Sequence, residues 1–230
     1  MPLVFSARKN QRIVVTDRQF SIIIGSLLGD AYISPLGKIQ FEHSEKAKEY
    51  VQWKFREMDG IRYQKIGHVK RNLHDKILYS YRFWTRQFFR PLRKMVYKQN
   101  GKKYISQEWL LELTPLALAI WYIDDGHYER EKKRCIIATD GFSDDDREKL
   151  RIFLKTRFNL AITLRKSGKI AMTQRETEKF FKIINPHQIE CMAYKFPNPL
   201  TTIPASRNDK IQFESYNTPS ASGLSRRMVV

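Results

Sequence analysis

Two aspartates, Asp30 and Asp125, each close an apolar segment, and two lysines, Lys103 and Lys195, follow them after 73 and 70 residues. If the segments are helices that pack as equivalents, their ends bring Asp30 and Asp125 together on one side of the interface. A carboxylate there lies at the negative end of a helix dipole and beside a like charge, which raises its pKa or demands a cation. Oxygen ligands next to a negative polymer suit Mg²⁺, which keeps some of its waters and binds phosphate oxygens as well as carboxylates. Two such acids related by a pseudo-twofold axis would serve two phosphates, one on each strand of a duplex. The chemistry implied is hydrolysis of both strands.

The elements that must position these acids are IIIGSLLGD (22–30) and TPLALAIWYIDDG (114–126). Asp17 or Ser21 offers a start signal for the first, and Thr114 with Pro115 opens the second. Gly25, Ser26 and Gly29, with Ala117 and Ala119, allow two backbones to approach closely. Around these helices the pattern is regular. A basic arm covers 1–16 and the first helix 17–29. A hairpin of 31–34 and 38–44 follows, then a helix over 45–58 with Ala47, Tyr50, Val51 and Phe55 on one face. A second hairpin, 67–72 with 76–85, turns at His74 and Asp75, and 86–97 returns to helix with Pro91 in its path. The order then restarts with the helix over 114–125, strands at 127–129 and 134–139, a helix over 144–158 capped by Ser143, a hairpin of 161–166 and 169–173, and a helix over 176–184. Phe88-Phe89-Arg90 stands fifteen residues before Lys103, and Phe180-Phe181-Lys182 fifteen before Lys195, so the halves repeat in spacing as well as in order. The division expected is a first repeat with its arm at 1–104, a connector at 105–113, a second repeat at 114–215 and a disordered tail at 216–230.

With 42% hydrophobic and 13% aromatic residues, a chain of 230 has ample material for a core. Its 42 Lys and Arg against 24 Asp and Glu leave a net charge of +18, and a field of that size points to a polyanion, with nucleic acid leading. No apolar run approaches the length of a bilayer span, and no basic amphipathic helix stands apart as an anchor, so a membrane partner is not expected. Cys135 and Cys191 lack CxxC spacing, which argues against a disulfide framework or a zinc ribbon and for a reducing, intracellular setting. The acid-free start with Arg8, Lys9 and Arg12 lacks the length and serine content of an organelle transit segment, and mitochondrion, chloroplast and bacterial cytoplasm are not distinguished. The five histidines show no ligand spacing, and His43 is expected to face the core. Trp53, Trp84, Trp109 and Trp121 read as core or interface residues. No GxxxxGK[ST] loop occurs, so nucleotide hydrolysis has no support.

GSLLGDAYI (25–33) and LAIWYIDDG (118–126) resemble the two motifs of the monomeric, intron-encoded branch of the LAGLIDADG homing endonucleases, and the resemblance extends over about 17–200, including MAYKFPN at 192–198. It implies an α+β fold of two pseudo-symmetric αββαββα repeats. Each repeat carries a four-stranded antiparallel sheet forming a saddle for the DNA major groove, and the repeats pack through the motif helices. It further implies Asp30 and Asp125 as metal ligands, with the backbone carbonyls of Gly29 and Asp124 as further candidates, Mg²⁺ as the ion with Mn²⁺ as substitute, and Lys103 and Lys195 as catalytic lysines that stabilise phosphate charge. Gln40 and Thr139 are candidates for ordering the attacking water. The chain departs from the family pattern at Ala31 and Ile120, where glycine is usual, and at Asp124, where alanine is usual; as an extra acid Asp124 reads as a capping or solvent-facing residue. A side chain at Ile120 bears on how closely the two helices can pack.

Alternation along the strands offers Lys38, Gln40, Lys70, Arg71, Lys76 and Arg82 in the first half, and Arg130, Arg134, Arg165 and Lys169 in the second, for contact with DNA. In the strand over 76–85, Lys76, Ser80 and Arg82 are placed opposite Ile77, Tyr79, Tyr81 and Phe83. The function expected is cleavage of both strands of a long asymmetric DNA site, with 3′ overhangs, by a monomer acting in intron homing. An RNA maturase that assists splicing of a host intron, and a catalytically inactive DNA-binding regulator, are the alternatives.

Overall fold

Residues 3–6, 11–73 and 76–198 are described by the computed structural model. The expected tail and the turn at His74 and Asp75 lie outside them. Two helices form the centre. Helix α1 (Asp17–Leu28) is buried at every residue from Phe20 onward, and α5 (Pro115–Asp125) at every residue from Leu116 to Ile123. Helices apolar on all sides need partners all round, and here each is the other's partner. Thr16, rather than Asp17 or Ser21, caps α1: its hydroxyl accepts from Gln19 N–H, and the Gln19 side chain accepts from Thr16 N–H, both at 3.1 Å. Thr114 caps α5 as expected, accepting from Ala117 N–H at 3.1 Å with Pro115 in the first turn.

Close approach of α1 and α5 depends on Gly25, which lies directly against the Ala117 backbone; a Cβ there would stand 2.3 Å from the Ala117 carbonyl oxygen. Gly29 lies in the same way under Asp124, whose Cβ would be 2.5 Å from an added one. Ile120 is fully buried, and the helices are close at Gly25 all the same.

Each side of the helix pair carries a four-stranded antiparallel sheet. The first has β3 (Tyr32–Ile33), β4 (Ile39–Ser44), β5 (Gly67–Leu73) and β6 (Lys76–Trp84) in the order β3-β4-β6-β5. The second has β7 (Gly126–Glu129), β8 (Arg134–Ala138), β9 (Thr163–Leu164) and β10 (Lys169–Ala171) in the order β7-β8-β10-β9. Helices α2 (Lys48–Glu57) and α6 (Asp144–Phe158) follow the inner hairpins, and α3 (Arg90–Val96) and α7 (Gln174–Ile184) the outer ones, while α4 (Gln107–Leu111) sits in the link between halves. This is the mixed α and β architecture expected.

Several boundaries moved, each for a local reason. The 1–16 arm contains an antiparallel hairpin of β1 (Leu3–Ser6) and β2 (Arg12–Val15), because Phe5, Ile13 and Val15 point inward; the Phe5 ring packs 5.2 Å from that of Phe89. Glu45–Ala47 forms a single 3-10 turn ahead of α2. Helix α3 starts at Arg90, since Pro91 is tolerated only in the first turn. In the second half β9 and β10 are shorter than expected: the Ala161 N–H is taken by the Glu176 carboxylate at 2.8 Å, and Thr173 leaves the strand to cap α7. The alternation expected along β6 holds only at its base. Phe83 is buried against Phe41 and Phe55, whereas Ile77, Leu78 and Tyr79, at the far end of the strand, are all exposed.

Candidate active site at the ends of the paired helices

Asp30 follows the last turn of α1, and Asp125 is the last residue of α5. Their surroundings differ. The Asp30 carboxylate is 48% exposed, and His43 Nδ1 from β4 lies 3.2 Å from its Oδ2. Burial works to raise its pKa, but the His43 hydrogen bond and the positive charges of Lys54 and Lys103 outweigh that and hold it below the ordinary value. Asp125 is pushed up to about 7 by burial first and then by the negative charges of Asp30 and Asp124, with Lys103 and Lys195 opposing. The two acids are therefore close enough to repel, and Asp125 is the one left short of positive charge.

Both lysines reach the carbonyl ends of the motif helices. Lys103 Nζ donates to the carbonyls of Leu27 and Gly29, each at 2.8 Å. Lys195 Nζ contacts the carbonyls of Ile123, Asp124 (3.4 Å) and Gly126 (3.3 Å). Carbonyls at a helix C-terminus lack helical partners, and a cation satisfies them and the dipole together. Burial lowers Lys103 to about 8 against the opposing pull of Asp125, Asp30 and Asp124, and burial lowers Lys195 as well. The Gly29 and Asp124 carbonyls thus each have one lone pair engaged.

Asp124 is neither a cap nor solvent-facing. Its side chain is wholly buried, with both oxygens on Lys54 Nζ (2.9 and 3.0 Å) and Oδ1 accepting from the Tyr50 hydroxyl at 2.8 Å. Lys54 Nζ also lies 3.1 Å from His43 Nε2 and 4.4 Å from the centre of the Tyr50 ring. Lys54 and Tyr50 come from α2 in the first half, so this ion pair crosses the interface between halves. Ligand atoms of Asp30, His43 and Asp124 lie within 4.8 Å of one another, but the cation in that trio is the Lys54 ammonium. The acids that still lack a cation are Asp30, with its open carboxylate, and Asp125. Carboxylate and carbonyl oxygens of that kind fit a hard divalent ion. His43, its side chain only 8% exposed, faces the interior as expected and is there the partner of Asp30. Sequence reasoning missed Lys54, although the signal was there: a lysine at the 47, 50, 51, 54 spacing of an apolar helix face needs a buried acid, and Asp124 is the acid that departs from the motif.

The water-ordering candidates are occupied. The Gln40 amide donates to Glu42, and the Thr139 hydroxyl, on a residue only 2% exposed, donates to the Gly168 carbonyl at 2.6 Å. Thr139 is tied by that bond to the turn before β10. Among the basic candidates, Lys70, Arg71, Lys76, Arg130 and Lys169 are exposed and Lys38, Arg82, Arg134 and Arg165 half-buried. Glu42 gathers Arg71 at 2.7 Å, Arg82 at 3.9 Å and the Ser80 hydroxyl at 2.5 Å, Arg134 is paired with Glu129, and the Lys38 ammonium sits 5.1 Å from the centre of the Tyr63 ring.

Two buried helices that each deliver an acid, with one antiparallel sheet per half beside them, define a two-motif nuclease scaffold. Residues 20–180 match the LAGLIDADG DNA endonuclease family, and the chain belongs to it. A protein named RecA from Mycobacterium shimoidei is 32% identical over 204 residues, 79% of this chain and 47% of that one, so the chain spans about half the length of the RecA relatives it matches. A probable intron-encoded endonuclease 1 from Wickerhamomyces canadensis is 28% identical over 81% of this chain and 87% of its own. Among solved structures, the homing endonuclease I-WcaI bound to its DNA recognition sequence matches with a TM-score of 0.70 and 28% identity, covering 78% of this chain and 86% of that one. No helix among the described residues is long and apolar enough to cross a membrane.

Proposed function

We propose that the chain is a site-specific endonuclease that hydrolyses one phosphodiester on each strand of a long, asymmetric DNA site, leaving 3′ overhangs, and that it acts as a monomer in intron homing. The observation that carries this reading is the meeting of Asp30 and Asp125 at the ends of α1 and α5, where burial and mutual repulsion hold Asp125 near a pKa of 7. Asp30 and Asp125 would hold a divalent ion, Mg²⁺ or Mn²⁺, which when bound supplies Lewis-acid neutralisation of charge on the attacked phosphate. The chain's own residues do the rest. Lys103 spends two of its three N–H groups on Leu27 and Gly29 and keeps one for a phosphate oxygen. The two sheets lay Lys70, Arg71, Lys76, Arg82, Arg165 and Lys169 along the duplex, with backbone contacts fixing register and base contacts fixing sequence. Differences between the halves, in hairpin length and in basic residues, require a target that is not palindromic.

The test is cleavage of a randomised plasmid target library with Mg²⁺ and with EDTA. Expected is linear product with Mg²⁺ only, lost in Asp30→Asn and in Asp125→Asn while DNA binding persists. Tight binding by the unmutated protein with no cleavage of any target would refute the enzyme and leave a DNA-binding regulator. Selective binding of intron RNA in its place would favour the maturase.

A further inference from the structure

The two halves place unlike residues at equivalent points beside their acids. Tyr32, two residues after Asp30, pairs with Gln40 across the first sheet, and His127, two residues after Asp125, pairs with Ile136 across the second. Counting three residues on from Gln40 and Ile136 makes His43 and Thr139 structural counterparts. His43 reaches Asp30 at 3.2 Å, whereas the Thr139 hydroxyl is turned to the Gly168 carbonyl. The Asp125 carboxylate, by contrast, is set by burial and by the charges around it, with no hydrogen bond among the causes of its shift. The residue preceding each acid differs as well: Gly29 before Asp30 has no side chain, and its counterpart Asp124 fills that space and runs on to Lys54.

This second difference feeds back on the first. An ammonium has only donors, so Lys54 Nζ at 3.1 Å obliges His43 Nε2 to accept. The ring proton is then on Nδ1, the atom that faces Asp30. Lys54 in turn is held by both oxygens of Asp124, and Tyr50 holds Oδ1. A chain of contacts thus runs from a buried carboxylate of the second half, through a lysine and a histidine of the first, to the Asp30 carboxylate. Among the described residues, no equivalent chain of contacts ends at Asp125. The lysines differ too, since Lys195 has three carbonyls in reach of its three donors and Lys103 two.

We propose that His43, oriented by the buried Lys54 and Asp124 pair, is a positioning residue that fixes the Asp30 carboxylate and has no working counterpart beside Asp125, so that the two strands of a bound duplex are cut at unequal rates. The strand that depends on the fixed acid is cut first. This rests on the endonuclease reading, and losing the partner that orients a ligand costs on the order of 10–100-fold.

Two measurements test it. The first is strand-specific cleavage of an end-labelled duplex by the full chain with Mg²⁺. His43→Ala should slow the faster strand by on the order of 10–100-fold and leave the slower strand unchanged, so that a nicked product accumulates. His43→Asn, which keeps a donor near the Nδ1 position, should restore much of the loss. Equal slowing of both strands, or equal rates in the unmutated protein, overturns the proposal. The second needs no metal, DNA or activity: ¹⁵N chemical shifts of the His43 ring in the metal-free protein. A protonated Nδ1 with bare Nε2, lost on Lys54→Met, supports the chain of contacts, and a protonated Nε2 overturns it. A protein with the expected ring shifts that cuts no DNA would refute the endonuclease reading, and the strand-rate claim with it.

Discussion

Replacing Gly25 with alanine sets two opposed effects against each other at the centre of the molecule. In a helix interior alanine is favoured over glycine by about 1 kcal/mol, so an unobstructed site would be stabilised. At Gly25 the new Cβ would stand 2.3 Å from the Ala117 carbonyl oxygen and 2.9 Å from its Cα. An ordinary contact needs about 1 Å more, and since the obstacle is backbone no side-chain rotation can supply it. Helices α1 and α5 must separate, which loosens the packing of side chains buried along both. Overpacking of this kind costs typically 1–3 kcal/mol and sometimes more, and backbone against backbone belongs at the upper end. The net expectation is a loss of about 2 kcal/mol, or about 4–8 °C in Tm for a domain of this size. Thermal and denaturant unfolding of Gly25→Ala beside Gly141→Ala measures it. Gly141 has nothing within 4 Å of an added Cβ, so its variant should stay within about 0.5 kcal/mol of the unmutated protein. Adding Ala117→Gly should not rescue Gly25→Ala, because the obstructing atoms are main chain. A Gly25→Ala protein as stable as the original would refute the close-packed helix pair.

Asp124→Asn leaves the Lys54 ammonium buried beside a neutral amide and should cost about 3–5 kcal/mol in urea unfolding, with most of it recovered when Lys54→Met is added; additive losses would mean that the pair is not coupled. Acid stability should reflect Asp146 and Glu176. Burial opposes their ionisation, but Ser143, Lys149 and the Ile105 backbone at Asp146, and Lys179 and the Ala161 N–H at Glu176, hold both below their ordinary values. A carboxylate depressed in the folded state stabilises above its unfolded pKa, and that contribution is lost as pH falls through the folded one. Unfolding free energy should therefore decline from about pH 5 downward, less steeply in Asp146→Asn; a parallel decline would contradict the assignment. DNA affinity should fall linearly on a log–log plot against salt, with a slope of about −0.9 per phosphate contact, and Lys70→Ala or Lys169→Ala should each reduce the slope by about one. A slope near zero would contradict a basic saddle.

What could be read from the chain alone divides along physical lines. The paired apolar segments, their terminal acids and the lysines that follow were legible because each is a local pattern repeated at matched spacing, and Thr114 with Pro115 marked the start of α5 directly. The hairpin of β1 and β2 was hidden by the charges of Arg8, Lys9 and Arg12, although Phe5, Ile13 and Val15 alternate as a half-buried strand pair requires. Glu176 illustrates a limit of another kind. A carboxylate fifteen residues downstream takes the Ala161 N–H out of reach of the ladder, and no propensity within 161–166 encodes that. His43 and Lys54 belong to the same class, since their partners lie on other elements and one of them in the other half of the chain.

The buried pair of Lys54 and Asp124 also bears on how such a two-part chain could be taken apart and reassembled. A first half joined to a second half from another family member would carry an ammonium sealed at the junction, and the reverse joining would carry a sealed carboxylate. Either graft starts several kcal/mol behind unless the matching residue travels with it. Exchange of halves is therefore restricted by one contact: position 54 and position 124 form a compatibility code that every workable chimera must keep or erase at both ends.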